Sequence, residues 1–427
     1  MEERVLLIGG GGREHAIARA LADERLFAYS SNRNPGIAAL ADGTRTGLET
    51  DLESVVEYAT SVDATLAVIG PESPLAAGVV DALADAGIFA FGPFAEQAKL
   101  EADKAYQRQF MEDAGIEARP AFETFDSKAE AIEYVESVDK DLAVKPRGLT
   151  GGKGVRVTGD QVSHQEAIDY IERSEYEEWV IEDRLVGEEV TIQALVSNGE
   201  LHPTPAVKDH KRAYEGGVGP NTGGMGSYSA RIPTLPFMTE EEYRDAVEIL
   251  NATVAALDDY RGVLYGQFML TEDGPKVVEY NVRFGDPEAM NTLQALETDF
   301  IEVLRAARNG SAPPELSFKP EATVCKYAVP AGYPRDPKAG SKVDIDVTDI
   351  PGADLYYASV DDRDDGLYTT TSRSFAVLGR GKSIEAAESR ADLALTDIGD
   401  GFRVRGDIGT PQLIETRIDR MNALRKV

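Results

Sequence analysis

The chain has 427 residues, 42% of them hydrophobic, and this length predicts two to four domains rather than one core. Its 75 acidic and 44 basic residues give a formal net charge of −31, which disfavours binding to nucleic acids or anionic membranes. The single cysteine, Cys325, excludes an intramolecular disulfide and a cysteine-based zinc site, and the four scattered histidines disfavour a histidine-based metal site.

The sequence also lacks the features of membrane and secreted proteins. No apolar run approaches the ~20 residues needed to span a bilayer. The stretch MEERVLLIGG is acidic and enters a strand at once, so we expect neither a secretory nor a transit peptide. These features favour a cytoplasmic protein.

Residues 1–100 alternate short apolar runs with helical segments. RVLLIG, ATLAVIG and IFAFGP are typical of buried parallel strands, and REHAIARALAD and SPLAAGVVDALADAG have helical spacing. This alternation predicts a Rossmann-like βαβ domain, in which ligands bind at the carboxyl ends of the strands.

A second domain begins with the helical stretch EQAKLEADKAYQRQFMEDAG. Its strands are predicted at DLAVKP, EWVIEDRL, EVTIQALV, GVLYGQFML and PKVVEYNVRF, and the helix DFIEVLRAARNG closes it near residue 310. The proline-rich stretch SAPPELSFKP is predicted to be a linker, after which residues 320–427 mix strands with the helical segment SIEAAESRADLALTDI. The fold class is therefore α/β and α+β, divided among several domains.

The loop GGGGREH, Gly9 to His15, is the first candidate site. Glycines between a strand and a helix let backbone N–H groups approach an anion at the helix N-terminus. The dinucleotide pattern G-x-G-x-x-G fails here, because its last position falls on Glu14 or His15. A tight turn without a ligand would also use these glycines. Four glycines followed by Arg13 favour a phosphate or small polar ligand over a nicotinamide cofactor.

The second candidate is VKPRGLTGGKGV, residues 144–155, in which Lys145 ends a strand and a glycine loop follows. Such a loop can fold over a polyphosphate, although the spacing is not that of a P-loop because Gly154 follows Lys153. Taken alone, the loop fits a glycine hairpin with a solvated lysine equally well. A second lysine, Lys104, and an acidic strand downstream favour a nucleotide.

The third candidate, GVLYGQFMLTEDGPKVVEYNVRF, is predicted to be a β-hairpin. With a three-residue loop and a left-handed Gly274, Gln267 falls opposite Glu279. Alternate residues of a strand share a face, so Glu279, Asn281 and Arg283 point the same way.

The polar face of this hairpin offers the ligands of a hard cation. Gln267, Glu279 and Asn281 carry only oxygen ligands, which suit Mg²⁺ with nucleotide phosphates. Arg283 can neutralise charge on a transferred phosphoryl group. A solvated strand face would explain one Glu or one Asn, but three ligands, an arginine and GDPE in succession favour an active site.

Motifs along nearly the whole chain carry a resemblance to a known family. They are IGGGGREHA, VIGPESPL, FGP, ADKAYQRQFM, VKPRGLTGGKGV, VIEDRLVGEE, DHKRAYEGGVGPNTGGMGSYS, LYGQFML and EYNVRFGDPE, of which GPNTGGMG and NVRFGDPE are together very specific. The chain resembles the phosphoribosylamine–glycine ligases (glycinamide ribonucleotide synthetases), which are ATP-grasp enzymes of purine biosynthesis. The C-terminal hundred residues match more loosely.

The resemblance implies three domains. An N-terminal Rossmann-like (pre-ATP-grasp) substrate-binding domain would span residues 1–100. An ATP-grasp domain would span 101–312, with a lid subdomain at about 118–188, and a smaller mixed α/β domain would span 320–427.

The resemblance further implies an ATP-dependent carbon–nitrogen ligase that joins glycine to 5-phosphoribosylamine through glycyl phosphate, with Mg²⁺ or Mn²⁺. Arg283 and Lys145 would be catalytic, and Gln267, Glu279 and Asn281 would bind the metal. ATP would contact Lys104, Lys145, Gly151, Gly152, Lys153, Gly154, Glu182, Leu185 and Glu188. The two other substrates would contact Gly10, Gly11, Gly12, Arg13, Glu14, Glu72, Asp209, His210, Lys211, Asn221, Thr222, Gly223, Gly224, Met225, Gly226, Arg283, Asp286, Pro287 and Glu288.

The partners implied are these small molecules, without nucleic acid or membrane, and the chain would be a monomer or a weak homo-oligomer. Two alternatives stay open at this point. One is another ATP-grasp carboxylate–amine ligase or carboxylase. The other is a Rossmann oxidoreductase, against which the broken glycine pattern argues.

The acidic composition predicts adaptation to high salt. Acidic charge repels itself in the folded state, and 1 M salt reduces the range of that repulsion to ~3 Å. We therefore expect the free energy of unfolding, measured by denaturant titration, to rise with the KCl concentration. Stability that does not rise with KCl would rule out this adaptation.

Overall fold

The structure is a computed structural model, and it describes residues 3–149 and 154–426. In these two ranges no helix combines the length and the apolar character that crossing a membrane would require.

The N-terminal domain is a parallel sheet with helices packed on it. Its elements are β1 (Arg4–Ile8), α1 (Gly12–Ala20), β2 (Arg25–Ser30), α2 (Pro35–Leu40), β3 (Gly43–Thr46), α3 (Leu52–Ser61), β4 (Leu66–Ile69), α4 (Glu72–Ala77), α5 (Val79–Asp85) and β5 (Phe89–Phe91). The strand order is β3-β2-β1-β4-β5, and every pair is parallel. The predicted Rossmann-like domain is therefore confirmed, and the loop after β1 lies at the carboxyl edge of the sheet.

Two predicted helices are each broken in the structure. The segment SPLAAGVVDALADAG forms α4 and α5, because Gly78 between them adopts a left-handed conformation with φ +92°. The next predicted helix divides at Asp103, whose extended backbone ends one helix while its side chain caps the following one. Periodicity alone does not reveal such a break, because both halves keep helical spacing.

The lid is a four-stranded sheet with a small core of its own. It follows α6 (Ala95–Ala102) and α7 (Lys104–Asp113) and contains β6 (Phe122–Phe125), α8 (Lys128–Ser137), β7 (Leu142–Pro146), β8 (Arg156–Val157), α9 (His164–Arg173) and β9 (Trp179–Asp183). The strands run β6-β9-β7-β8 and are antiparallel. Leu142, Val144, Trp179 and Ile181 belong to a buried cluster distinct from the main core.

The main sheet carries the predicted hairpin. The elements of this part are β10 (Glu188–Ser197), β11 (Glu200–Pro203), β12 (Val207–Asp209), β13 (Arg212–Tyr214), a 3₁₀ turn (Glu215–Gly217), β14 (Val218–Asn221), β15 (Gly226–Ser229), α10 (Glu240–Ala255), β16 (Gly262–Thr271), β17 (Gly274–Asn281), α11 (Glu288–Ala295) and α12 (Phe300–Arg308). The segment 311–317, where the linker is predicted, contains no helix or strand.

The C-terminal region extends the same sheet across that linker. Its elements are β18 (Ala322–Pro330), β19 (Lys342–Val343), β20 (Ala353–Tyr357), β21 (Val360–Arg363), β22 (Gly366–Thr369), β23 (Phe375–Gly381), α13 (Ile384–Leu395), β24 (Phe402–Arg403) and α14 (Pro411–Leu424). The sheet runs β17-β16-β10-β12-β15-β18-β23-β20, so that β15 pairs directly with β18. One buried cluster includes Leu7, Phe268 and Val324, and it therefore joins the N-terminal domain to both parts of this sheet.

Gly226 is required at the β15–β18 junction. Its φ is +152°, and a Cβ atom there would lie 2.2 Å from the carbonyl oxygen of Cys325. Gly226→Ala should therefore lower the free energy of unfolding by about 2 kcal/mol or more. The matched control is Gly310→Ala, because Gly310 also has a positive φ (+66°) but has nothing within 4 Å of the added atom. Gly310→Ala should lower the free energy of unfolding by about 1 kcal/mol. Denaturant titration of both variants measures the two losses. Equal losses would show that the close approach to Cys325 is tolerated.

Candidate active site

The predicted hairpin forms, and its key register is correct. Gln267 on β16 pairs with Glu279 on β17, and Gly274 has a positive φ of +90°. The predicted three-residue loop is wrong, because Thr271 pairs with Gly274 and leaves two residues in the turn. A register shift between Gln267 and Phe268 compensates for the shorter loop, so the polar pair still lies face to face.

A lysine ammonium lies between the two opposed side chains. Lys211 Nζ donates to Gln267 Oε1 and, at 3.1 Å, to Glu279 Oε1. Burial raises the pKa of Glu279, but the nearby Lys211 and Lys145 outweigh burial and hold it at about 2. The two oxygens therefore converge on one positive charge.

This geometry tests whether a metal fits the predicted ligands. Among the described residues, no three His, Cys, Asp or Glu side chains gather as a metal site, so amide oxygens would have to contribute. Gln267 and Glu279 already share a cation, which is the arrangement that a hard divalent ion requires. The third predicted ligand, Asn281, instead accepts a hydrogen bond of 3.2 Å from Arg283 Nη2. Gln267 and Glu279 thus converge on one cation position, whereas Asn281 bonds to Arg283.

Arg283 links the hairpin to the N-terminal domain. Its Nη2 lies 2.7 Å from Glu101 Oε1, and its Nε lies 3.6 Å from Glu72 Oε2. Glu101 was not predicted as a site residue. Burial raises the pKa of Glu101 to about 7 in spite of the attraction to Arg283. The predicted catalytic arginine is therefore held between two carboxylates.

Lys145 belongs to a buried group of three charges. Its Nζ lies 2.6 Å from Glu182 Oε2, and Arg108 Nε donates to the other oxygen of Glu182 at 2.7 Å. Burial lowers the pKa of Lys145, whereas Glu182 opposes that shift. Because two cations share one carboxylate, one positive charge is left over beside the cleft.

Lys104 lies close to the same charges. Its Nζ donates to the carbonyl of Gly148 at 2.6 Å, and the charges of Glu279 and Lys145 both act on its pKa, which burial lowers. Asp103 caps α7, and Arg147 donates to both oxygens of Asp103, which fixes the start of the helix that carries Lys104.

The predicted glycine loop is only partly covered by the structure. Gly151, Gly152 and Lys153 lie outside the described residues. The carbonyl of Gly154 accepts a hydrogen bond of 2.8 Å from the hydroxyl of Tyr170 on α9. Gly154, the last residue of the predicted loop, is therefore bonded to α9.

A cleft of about 460 Å³ lies between the lid, the main sheet and α14. Arginines that were not predicted as site residues, Arg405, Arg417 and Arg420, also line it. The cleft therefore has a cationic wall formed from the C-terminal region. The predicted residues that line it are Lys145, Glu182, Leu185, Glu188, Asp209, His210, Lys211, Asn221, Gln267 and Glu279.

The segments 209–211 and 221–226 form one unit. The backbone N–H of Thr222 donates to the carbonyl of Lys211 at 2.7 Å, and that of Met225 donates to the carbonyl of His210 at 2.8 Å. Asp209 is buried beside the cleft, and its Oδ1 has no hydrogen-bond partner within the described ranges. A buried acceptor of this kind is suited to a ligand that carries N–H groups.

Arg373 ties this unit to the loop after the hairpin. Its Nη1 donates to the carbonyls of Gly223 and Gly224, at 2.6 and 3.0 Å, and its Nη2 donates to Asp286 Oδ2 at 2.8 Å. The hydroxyl of Tyr327 donates to the other oxygen of Asp286 at 2.7 Å. Arg373 and Tyr327 were both missed because they lie in the C-terminal region, far along the chain from these loops.

Glu288 is buried behind the same loop. Its Oε1 accepts hydrogen bonds from the hydroxyls of Tyr265, at 2.9 Å, and Thr191, at 3.2 Å. Burial, with a further contribution from Asp209, raises the pKa of Glu288 to about 7. Its side chain is therefore committed to the interior of the site. Pro287, the preceding residue, packs near Gly224.

The N-terminal loop lies beside Arg283 and outside the lining of the cleft. Glu14 Oε2 accepts from the backbone N–H of Gly11 at 2.6 Å, and its Oε1 lies 2.6 Å from Arg13 Nε. Arg13 also donates to the carbonyl of Phe284 at 3.1 Å. The charges of Arg283 and Arg13 together outweigh burial and lower the pKa of Glu72. α1 begins at Gly12, and the carbonyl of Gly10, before the helix, accepts a hydrogen bond of 3.0 Å from Asn34 Nδ2. The predicted substrate loop and the predicted catalytic arginine are therefore neighbours.

The sequence and the fold both match one family. Models of the N domain, the ATP-grasp (A) domain and the C domain of phosphoribosylglycinamide synthetase match residues 3–101, 102–289 and 323–411. The phosphoribosylamine–glycine ligase of Methanosarcina barkeri is 49% identical, over 99% of this chain and 100% of that protein. The chain belongs to the phosphoribosylglycinamide synthetase family. It is an ATP-grasp ligase, as predicted.

Two further relatives extend the similarity to phosphoribosylglycinamide synthetases. The phosphoribosylamine–glycine ligase of Methanosarcina acetivorans is 50% identical, over 100% of this chain and 98% of that protein. The crystal structure of the phosphoribosylamine–glycine ligase from Thermotoga maritima has a TM-score of 0.79 at 27% identity and covers 95% of this chain and 99% of that one. The multidomain fold class is thereby confirmed.

We predict that the hydrogen bonds of Arg373 stabilise the segment 222–225. A lysine carries all its N–H groups on one nitrogen, whereas the Arg373 guanidinium reaches the two carbonyls and Asp286 from two separate nitrogens, so Arg373→Lys should release the segment 222–225. Loss of these charge-assisted bonds should raise its amide hydrogen exchange about tenfold. Arg380→Lys is the control, since Arg380 lies on β23 and pairs instead with Asp354 at 2.9 Å. Unchanged exchange in Arg373→Lys would show that the backbone bonds of the loop suffice.

Proposed function

We propose that this chain joins glycine to 5-phosphoribosylamine with ATP, forming glycinamide ribonucleotide, ADP and phosphate in purine biosynthesis. One observation carries the proposal beyond family membership. The carboxylate of Glu279 and the amide of Gln267 share a cation at the floor of a cleft whose walls carry further lysines and arginines. A triphosphate with a divalent ion requires this combination of charges.

The nucleotide occupies this cleft. Lys104 and Lys145 contact its phosphates, since the charge of Glu279 acts on both ammonium groups. Glu188 binds the ribose, and Leu185 packs beside the adenine. Glu182 holds Lys145 in place. The loop Gly151, Gly152, Lys153 and Gly154 covers the phosphates.

A divalent ion, Mg²⁺ or Mn²⁺, would be held by Gln267, Glu279 and Asn281. When bound, it would supply positive charge that neutralises the phosphates. Lys211 must then leave its position between Gln267 and Glu279. Asp209, two residues before it, offers an acceptor, because its Oδ1 has no hydrogen-bond partner among the described residues.

The chemistry begins at the glycine carboxylate, which is a poor electrophile. One carboxylate oxygen attacks the γ-phosphorus of ATP, the bond to ADP breaks, and glycyl phosphate forms. Arg283 and Lys145 stabilise the charge that spreads over the transferring group. The amine of phosphoribosylamine then attacks the carbonyl carbon, phosphate leaves with the bonding electrons, and the amine loses a proton.

The other substrates lie on either side of Arg283. Asp209, His210 and Lys211, together with the loop 221–226 and the segment 286–288, enclose glycine. The residues Gly10 to Glu14 and Glu72 bind phosphoribosylamine, since Glu72 and Arg13 adjoin Arg283. Closure of these loops protects the acyl phosphate from water. The enzyme works as a monomer or weak homo-oligomer in the cytoplasm, with an acidic surface adapted to high salt.

Release of ADP tests the proposal. With ATP, Mg²⁺ and fresh phosphoribosylamine in KCl, ADP release should require glycine, and bicarbonate or D-alanine should not replace it. Glu279→Ala should lower the glycine-dependent rate by ~10³ or more, because charge stabilisation in the phosphoryl transfer is lost. Glu272→Ala, in the exposed turn of the same hairpin, is the matched control and should keep the normal rate.

Two results would refute the proposal. Turnover that depends on bicarbonate or another acid would assign a different ATP-grasp reaction. Near-normal turnover by Glu279→Ala, with an unchanged circular dichroism spectrum, would remove the metal assignment.

A further inference from the structure

The last helix of the chain reaches into the nucleotide cleft. Arg417 and Arg420 lie almost one turn apart on α14, and both line the cleft. The family model of the C domain ends at residue 411, so it does not extend along this helix. None of the cleft residues predicted from the sequence belongs to α14. The helix therefore has no role in the function proposed above.

The two arginines occupy both oxygens of Glu188. Arg417 Nη1 donates to Glu188 Oε2, and Arg420 Nη1 donates to Glu188 Oε1 at 3.1 Å. Only 5% of the Glu188 side chain and 14% of the Arg417 side chain are exposed, so this contact is shielded from solvent. These contacts orient Glu188 and Arg417 relative to each other. Each carboxylate oxygen accepts more than one hydrogen bond, so Glu188 can still accept from a ligand.

The guanidinium of Arg417 also contacts His210, in the segment proposed above to bind glycine. Arg417 Nη2 lies 3.3 Å from His210 Nε2. Burial and the charge of Arg417 both hold the pKa of His210 well below its ordinary value, so the ring is neutral and its Nε2 accepts. The proton is then on Nδ1, which is buried and has no partner among the residues described. Arg417 is the one side chain that bonds both Glu188 and the segment 209–211 in this part of the structure.

We propose that Arg417 is a positioning residue that couples the nucleotide subsite to the glycine subsite. The inference rests on the proposed function, in which Glu188 binds ribose and the segment 209–211 binds glycine. A nucleotide that fixes Glu188 also fixes Arg417, and Arg417 in turn fixes His210 beside Asp209 and Lys211. The second ligand then meets a site that is already ordered, so each ligand tightens the binding of the other.

Arg425 offers a matched control on the same helix. It anchors α14 outside the cleft, with Nη2 at 2.7 Å from Glu242 Oε2 and at 2.8 Å from the carbonyl of Phe237. Arg425→Ala removes the same charge and loosens the same helix, but it leaves Glu188 and His210 untouched. It therefore separates loss of helix docking from loss of the Arg417 contacts.

The test is calorimetric binding of MgADP, with and without glycine, to the full chain and its variants. Wild type should bind MgADP more tightly when glycine is present. Arg417→Ala should bind MgADP about tenfold more weakly, because a charge-assisted contact is lost, and glycine should no longer change its affinity. Arg417→Lys should recover part of the affinity through Glu188, but not the effect of glycine, because Arg417 contacts Glu188 and His210 from two different nitrogens and lysine has only one. Arg425→Ala should melt at a lower temperature, yet keep wild-type affinity and the wild-type effect of glycine.

Several outcomes would overturn the inference. They are a wild-type MgADP affinity that glycine does not change, an Arg417→Ala variant that behaves as wild type, and an Arg425→Ala variant that loses the coupling equally. Failure of the proposed function is a different result. In that case wild type releases no ADP with glycine and phosphoribosylamine, whereas MgADP binding is measured without turnover.

Discussion

The site depends on the balance of charge around Glu279. Its carboxylate is partly buried, and isolation there would be costly, but Lys211, Lys145 and Lys104 keep it ionised. Each of these lysines belongs to a different part of the chain, namely a loop of the main sheet, a lid strand and the start of α7. The lid strand and the main sheet therefore meet across opposite charges. A triphosphate with a divalent ion would bring net negative charge, which the lysines and arginines that line the cleft could offset.

The continuous sheet explains why the C-terminal region contributes to the site. Because β15 pairs with β18, the strand that starts the C-terminal region lies beside the loop 221–226. Arg373 can then bond the carbonyls of that loop, and α14 can lie along the cleft. The family model assigns residues 323–411 to a separate C domain, whereas the hydrogen-bonded sheet joins these segments to the rest of the candidate site.

The sequence predicted correctly those features of the fold and the candidate site that depend on the local pattern of apolar and polar residues. The strand that carries Glu279 and the βαβ alternation of residues 1–100 follow from hydrophobic periodicity, and both are confirmed. The strand order, with β2 and β3 at one edge, was not predicted. The bulge that keeps Gln267 opposite Glu279 was not predictable, since it depends on how two strands pack. The contacts of Arg417 escaped prediction for another reason. They join residues more than 200 positions apart, and a charged helix at the end of a chain usually reads as a solvated surface.

The position of α14 bears on the order in which the enzyme is made. Glu188 and Arg417 are 229 residues apart, and α14 ends at Leu424. During synthesis the Rossmann-like sheet, the lid and the hairpin emerge from the ribosome well before this helix does. A nascent chain can therefore fold most of the candidate site while this wall of the cleft is still missing. A product that stops before α14 would lack Arg417 and Arg420 even with the preceding elements folded.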